Sequence, residues 1–146
     1  MGLFLRGADI NDAEIILEWR NDSVTREHSF SKECIDYETH MKWYKSKLSD
    51  KDCYLFILMD NTEKIGHLRI DRVNDVGRIS YTIAPGKRNR GYGKKIIELS
   101  ERVVTDVIHA LVGMVELSNE PSRKCFRHNN YAEFASGDIY FYIKLI

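Results

Sequence analysis

The sequence predicts a mixed α/β domain. A central, mostly antiparallel sheet of six to seven strands is flanked by about four helices, in the order β-αα-βββ-α-β-α-ββ. Three observations carry that prediction. Apolar and polar residues alternate through the middle of the chain, in segments separated by hairpin-type turns. Stretches on either side repeat their apolar residues at helical spacing. A length of 146 residues, 43% hydrophobic and 30% charged, suits a single globular domain spanning residues 1–146.

Leu3 to Arg6 reads as a short first strand. Asn11, with Glu14 three residues on, has the spacing of a capping box and opens a helix through about Arg20, with Ala13, Ile16 and Leu17 facing inward. A polar, irregular stretch follows from Asn21 to Cys34. A second helix, about Asp36 to Leu48, carries Tyr37, Met41, Tyr44 and Leu48 on one stripe, read as core. Cys53 to Met59 and Lys64 to Val73 are strands joined through Asp60-Asn61-Thr62-Glu63, and a turn at Asn74-Asp75 leads into the strand Arg78 to Ala84. Ile96, Leu99, Val103 and Val107 mark the next helix. The strand Leu111 to Leu117, a helix from Pro121 to His128, and closing strands near Tyr131–Ala135 and Ile139–Leu145 complete the chain.

Composition excludes several classes of function. Lys plus Arg and Asp plus Glu number 22 each, so no global field favours nucleic acid. No apolar run reaches the roughly 20 residues that span a bilayer, and Met1 to Arg6 lacks an export signal, so a cytoplasmic protein without a membrane partner is expected. Cys34, Cys53 and Cys125 are odd in number and widely spaced, which argues against a disulfide framework. The five histidines form neither an i, i+4 pair nor H-E-x-x-H, so no metal is expected.

The most informative stretch is Ile83 to Gly93, I-A-P-G-K-R-N-R-G-Y-G, between a strand and a helix. Such a turn leaves backbone N–H groups unpaired where the helix dipole adds positive charge. Gly91 and Gly93 lack a Cβ that would keep an anion away, and Lys87, Arg88, Arg90, Lys94 and Lys95 surround them. It is not a P-loop, because Tyr92-Gly93 follows Gly91 where Lys and Ser or Thr are required. It is not a dinucleotide-binding turn either, because Ile96 stands in the third glycine's place. An isolated G-x-G is more often a solvated surface turn. The flanking strand and helix, with the basic cluster, favour a pyrophosphate cradle.

The R-x-x-G-x-G of Arg88, Gly91 and Gly93, with Pro85 before it, resembles the acetyl-CoA-binding motif of the GNAT superfamily of N-acetyltransferases. Asn119-Glu120-Pro121-Ser122-Arg123-Lys124-Cys125-Phe126, then Asn130-Tyr131, is similar to the family's second block. The opening, with Leu5-Arg6, Asp12-Ala13 and Glu18 to Asp22, is similar as well, so the resemblance covers essentially the whole chain. It implies acetyl-CoA as co-substrate, with no metal. The main-chain N–H groups of Arg88, Asn89, Arg90, Gly91, Tyr92, Gly93 and Lys94 would hold the pyrophosphate. The pantetheine arm would pair with the backbone at Ile83, where the fourth strand splays, with Asn119 and Ser122 nearby. Asn119 is equally a favoured helix cap.

The implied reaction is attack of a neutral amine on the thioester, with a donor for the oxyanion and a proton for the departing thiolate. Two positions depart from the family pattern. Phe126 replaces the tyrosine that often serves as acid, and Arg78 or Ser80 stands near the usual glutamate base. His67, Arg69 and Asp71 share one face of their strand, opposite Gly66, Leu68 and Ile70. That face is either solvated or, in a sheet covered on both sides, the wall of a cleft. His67 is then the natural proton acceptor, its ordinary pKa lying near neutrality, and Asp71 orients it or binds the substrate cation. Glu116 is an alternative base.

Trp19 to Asp22, Glu38 to Tyr44 and Gly66 to Asp71 look most like members that acetylate nucleotide-linked amino sugars in pathways to pseudaminic-acid-like sugars. The expected partner is therefore a small-molecule amine such as a UDP-amino-sugar, with a homodimer allowed. Trp19–Arg26 and Trp43–Lys47 could supply aromatic and basic contacts, and Trp19 and Trp43 could equally fill the core. A ribosomal-protein-type N-terminal acetyltransferase and a non-catalytic acyl-CoA-binding module are the alternatives.

Overall fold

The structure, a computed structural model, describes residues 2–104 and 106–146. Among these residues seven strands form one sheet: β1 (Leu3–Gly7), β2 (Cys53–Asp60), β3 (Glu63–Val73), β4 (Val76–Ile83), β5 (Ala110–Glu116), β6 (Ala132–Ser136) and β7 (Ile139–Leu145). Their spatial order is β1-β2-β3-β4-β5-β7-β6. The β2–β3 and β3–β4 hairpins turn on Asn61 (φ 55°) and Asn74 (φ 56°), a conformation that Asn tolerates better than most residues.

All neighbouring strands run antiparallel except β4 and β5, which the chain connects through α4 (Tyr92–Val103). The parallel contact is short, pairing Val76–Ile79 with Ala110–Gly113. Beyond it β4 continues to Ile83 and β5 to Glu116 without pairing to each other. A wedge with one free backbone edge of β4 therefore opens in the middle of the sheet.

Helices cover both faces. Along β2, Leu58 packs into a core with Leu68, Ile70, Ile79, Leu111 and the residues Ile96 and Ile97 of α4. Its neighbours Leu55, Ile57 and Met59 pack on the other face with Ala13, Ile16 and Trp19 of α1 (Ala13–Asn21) and Tyr44 of α3 (Tyr37–Ser49). Each large aliphatic side chain buried in these layers stabilises the fold by about 1.5–3 kcal/mol before conformational entropy is counted. Packed on both faces, β2 is apolar almost throughout.

Five local expectations change. The capping box lies two residues earlier than Asn11/Glu14. The Asp9 carboxylate accepts from the Asn11 N–H at 2.8 Å and the Asp12 carboxylate accepts from the Asp9 N–H at 2.9 Å, closing a 3-10 turn that runs into α1. Asp12 is needed there because it is buried and also binds Arg6 and Lys64, each at 2.8 Å. Leu17 is only half-buried, and Trp19 takes the inward place.

The stretch Asn21 to Cys34 is not wholly irregular: α2 (Ser23–Glu27) lies within it, capped by Asp22, whose carboxylate accepts from the Thr25 N–H at 3.1 Å. No residue of α2 is buried, so it has no apolar period to read. In α3 the phase differs from the predicted stripe. His40 and Tyr44 are buried, Met41 is half-buried, and Tyr37 and Leu48 are exposed. Finally, α4 ends at Val103, so Val107 lies beyond it and is exposed; Val104 and Ile108 enter the core instead.

Candidate active site

The loop from Ala84 to Gly91 is anchored first. The Ala84 N–H donates to the Ile65 carbonyl at 2.8 Å, and Pro85–Lys87 forms a single 3-10 turn. Asn89 (φ 61°) and Gly91 (φ 83°) then take left-handed conformations, and Gly91 becomes the N-cap of α4. Where Asp22, Asp36 and Asn119 cap their helices with side-chain oxygens, Gly91 has none to offer. The first-turn N–H groups of α4 are left for an external acceptor. A Cβ built on Gly91 meets nothing within 4 Å, so the space in front of these groups is open. The site fits an anion.

The two glycines of the motif have different reasons. A Cβ on Gly93 would lie 2.8 Å from the Cys125 Sγ of α5 (Glu120–His128). Gly93 therefore serves the α4–α5 contact, which Asn129 also ties by donating to the Lys94 carbonyl at 3.0 Å. Both glycines are expected from the sequence to leave room for the anion; open space is seen beside Gly91, whereas the missing Cβ of Gly93 makes room for Cys125.

The basic cluster is largely committed within the protein. Arg88 donates to the Asp22 carboxylate and to the Thr25 hydroxyl at 2.9 Å, stapling α2 over the loop. Burial pushes Asp22 upward, but the Arg88 guanidinium and the Thr25 N–H outweigh it and hold the carboxyl below its ordinary value. Lys87 pairs with Glu63 at 2.7 Å and Lys95 with Glu98 at 3.0 Å. Among the described residues, Arg90 and Lys94 carry no ion pair and supply the remaining mobile charge.

A cleft of about 520 Å³ runs from this loop along the wedge. Ile83, Arg88, Asn89, Gly91, Tyr92, Gly93, Lys94, Asn119 and Ser122 all line it; Arg90 stands exposed outside that lining. Asn119 caps α5, its oxygen accepting from the Ser122 N–H at 3.3 Å. Val24, Thr25, His28 and Ser29 from α2 and its exit form the opposite wall, a contribution for which the Asp22-x-x-Thr25 capping pattern is the only sequence signal.

A second cavity of about 270 Å³ adjoins the first, and Thr25, Ser29, Tyr81 and Thr82 line both. Its wall includes Arg20, Trp43, His67, Arg69, Ser80 and Glu33. The polar face of β3 is therefore a cavity wall. Trp19 belongs to the core, whereas Trp43 is half-buried and faces this space.

His67 is not a base poised near neutrality. Burial, with Arg69 and Arg20 nearby, pushes its pKa down to about 3, and its Nε2 is buried without a hydrogen-bond partner. Asp71 does not orient it. The Asp71 carboxylate accepts from Lys47 at 3.0 Å and from the Arg69 Nε at 2.8 Å, and it lines neither cavity. Four residues along one strand separate Asp71 from His67, on the order of 13 Å. Glu116 pairs with Lys32 at 2.9 Å.

Phe126 is core: 2% exposed, stacked on Tyr142 at 5.0 Å and set so close to β5 that a Cβ on Gly113 would lie 2.3 Å from its Cζ. The hydroxyl on this side of the wedge comes from Tyr81, which in the sequence is marked only as a strand residue. Its ring meets Phe126 edge-on at 6.3 Å and its hydroxyl donates to the Ser122 Oγ at 2.8 Å. Burial raises the phenol far above its ordinary value, so it holds its proton at any physiological pH.

Solved structures with the same fold include spermidine N-acetyltransferase from Vibrio cholerae in complex with CoA and spermine, at 16% identity, covering 99% of this chain and 95% of that one with a TM-score of 0.88. They also include AAC(6')-Ib with ribostamycin and coenzyme A (16%, 99% and 94%, TM-score 0.85). An acetyltransferase from Thermus thermophilus is a third (16%, 100% and 98%, TM-score 0.83). No curated protein sequence matches the chain. The family model for the acetyltransferase (GNAT) domain matches residues 2–131, and with the wedge, the uncapped helix and the cleft between them, the chain belongs to the GNAT acetyltransferases.

Proposed function

We propose that this acetyltransferase moves the acetyl group of acetyl-CoA to a primary amine on a nucleotide-linked amino sugar. One observation carries the choice of acceptor. The segments Trp19 to Asp22, Glu38 to Tyr44 and Gly66 to Asp71, far apart in the chain, each contribute to the second cavity, through Arg20, Trp43, and His67 with Arg69. That cavity opens onto the first where β4 is unpaired.

Bound acetyl-CoA supplies an acyl group already activated as a thioester. The open N–H groups of Tyr92, Gly93 and Lys94 would hold its pyrophosphate, with the neighbouring loop residues Arg88 to Gly91 shaping the cradle. The free backbone edge at Ile83 would take the pantetheine, and Asn119 has its amide nitrogen left to donate, with Ser122 beside it. His67 remains neutral and, as part of the second cavity's wall, shapes the space for the attacking amine without carrying its proton away. Asp71 acts at one remove, fixing Arg69 against the cavity. Tyr81, on both cavities, holds the proton that the tyrosine missing at position 126 would otherwise supply. An amine with a pKa near 8 is already neutral to roughly a tenth at pH 7, so no strong base is required before attack; as the C–N bond forms and the C–S bond breaks, the proton that the nitrogen sheds to solvent balances the one taken up by the departing thiolate.

A thiol-release assay tests this reading with a UDP-amino-sugar, peptide N-termini and spermidine as acceptors. Turnover on the UDP-amino-sugar with little on the others is expected. Preference for peptides would replace the sugar by a protein N-terminus, and tight CoA binding with no turnover on any amine would make the chain a binding module.

A further inference from the structure

We propose that the second cavity holds an anion subsite, in which Arg20 and Arg69 flank Trp43 and receive a phosphate or carboxylate carried by the acceptor. The inference rests on reading this cavity as the acceptor site and narrows the acceptor's chemistry. The Arg20 Cζ lies 4.2 Å from the centroid of the Trp43 ring and the Arg69 Cζ 5.3 Å from the same ring. Two guanidiniums are thus gathered at one aromatic ring, in a cavity they both line.

Their charges are not balanced from within. Arg69 meets Asp71, but Asp71 also accepts from Lys47, so that trio keeps one positive charge in excess. Among the described residues Arg20 has no carboxylate partner. Its contact is the His40 Nδ1 at 3.1 Å. The His40 Nε2 lies 2.7 Å from the Ala13 carbonyl, which can only accept, so Nε2 bears the ring proton and Nδ1 is an acceptor. His40 is therefore neutral and cancels nothing. His67 is neutral too. Ser80 and Thr82 of β4 are uncharged, and among the described residues the only acidic side chain in the lining is the exposed Glu33 at the rim.

A half-buried guanidinium without a counter-ion is costly, and repulsion from a second one adds to the cost. Burial and Arg69 together pull Arg20 down to about 10, which still leaves it charged at neutral pH. The bond to His40 uses one of five guanidinium donors, leaving a fork free for two oxygens. An anion on the acceptor satisfies both features. A polycation such as the spermine or ribostamycin bound by the structural neighbours would meet like charge here.

The test uses CoA-saturated protein, so that the α4 cradle is filled, and titrates UDP, inorganic pyrophosphate and glycine separately by calorimetry. Saturable binding of at least one anion is expected, weakened about tenfold or more by Arg20→Gln and by Arg69→Gln, and unchanged by Lys51→Gln in the exposed turn before β2. UDP and pyrophosphate without glycine would identify phosphate; glycine alone would identify a carboxylate. Arg20→Lys, which keeps charge but not the fork, should fall between Arg20→Gln and the parent. Should Arg20→Gln unfold, by circular dichroism, Arg20→Lys and Arg69→Gln carry the measurement. No anion binding to the CoA-loaded protein, or equal binding by the parent and the Arg69→Gln and Arg20→Lys variants, overturns the subsite. If instead Arg-dependent pyrophosphate binding persists while no UDP-amino-sugar is turned over, the sugar reading fails and the subsite stands.

Discussion

The two glycines of the α4 loop should respond oppositely to the same substitution. Gly91 sits at φ 83°, and a Cβ there meets nothing within 4 Å. Gly91→Ala therefore costs the free protein only the left-handed penalty, about 1–2 kcal/mol, offset by about 0.4–1 kcal/mol from a less flexible unfolded chain. The net is roughly 1 kcal/mol, a fall in Tm of about 2–4 °C. Its Cβ, and more so the branched side chain of Gly91→Val, enters the open space before the α4 amides. Loss of even two charge-assisted hydrogen bonds, at about 1.5 kcal/mol each, weakens CoA binding roughly 100-fold.

Gly93→Ala works the other way. Its Cβ at 2.8 Å from the Cys125 Sγ overpacks the α4–α5 contact, costing about 1–3 kcal/mol of stability with little change in CoA affinity. Adding Cys125→Ala should recover much of that loss, a coupling visible in a double-mutant cycle. Thermal unfolding and calorimetric titration of CoA on the single and double variants measure both quantities. Parental CoA affinity in Gly91→Val, or lost affinity without lost stability in Gly93→Ala, would refute the assignment of the two glycines.

Other outcomes follow from the same geometry. Asp12→Asn should cost about 3–5 kcal/mol in urea unfolding at pH 7, since it leaves Arg6 and Lys64 without their buried partner. Burial would raise Asp12, yet hydrogen bonds from Arg6 and Lys64 hold it below its ordinary value, so its contribution is complete above about pH 4 and fades as pH falls; a gap between parent and variant that stays constant to pH 2 would contradict this. Because burial lowers His67 to about 3, the unfolded chain takes up this proton below about pH 6.5 while the folded one does not, and stability should decline from there toward pH 3. His67→Ala should lower kcat about tenfold without moving CoA affinity, and a parental kcat inflection near pH 6–7 that vanishes in this variant would restore His67 as a titrating base. Tyr81→Phe should lower kcat by about 10–100-fold with CoA affinity retained; unchanged kcat would remove the phenol from proton transfer.

Wherever neighbours along the chain set the conformation, the amino-acid string was enough. The apolar run of β2, the alternation along β3 and β4, the Asn turns between them, and the glycine-bearing strand-to-helix bend are local facts, and they located the fold and the α4 loop. What the string left undetermined depends on residues meeting across the sheet. Gly91 and Gly93 look equivalent in sequence, and only Cys125 on another helix separates them. Arg88 reads as mobile charge until Asp22, 66 residues away, claims it. His67 looks like a near-neutral base because its ordinary pKa is a property of water, and burial beside two guanidiniums removes that water. The first cleft lies where β4 and β5 part after Ile79, and its walls come from α2, the α4 loop and α5, segments that no local pattern brings together.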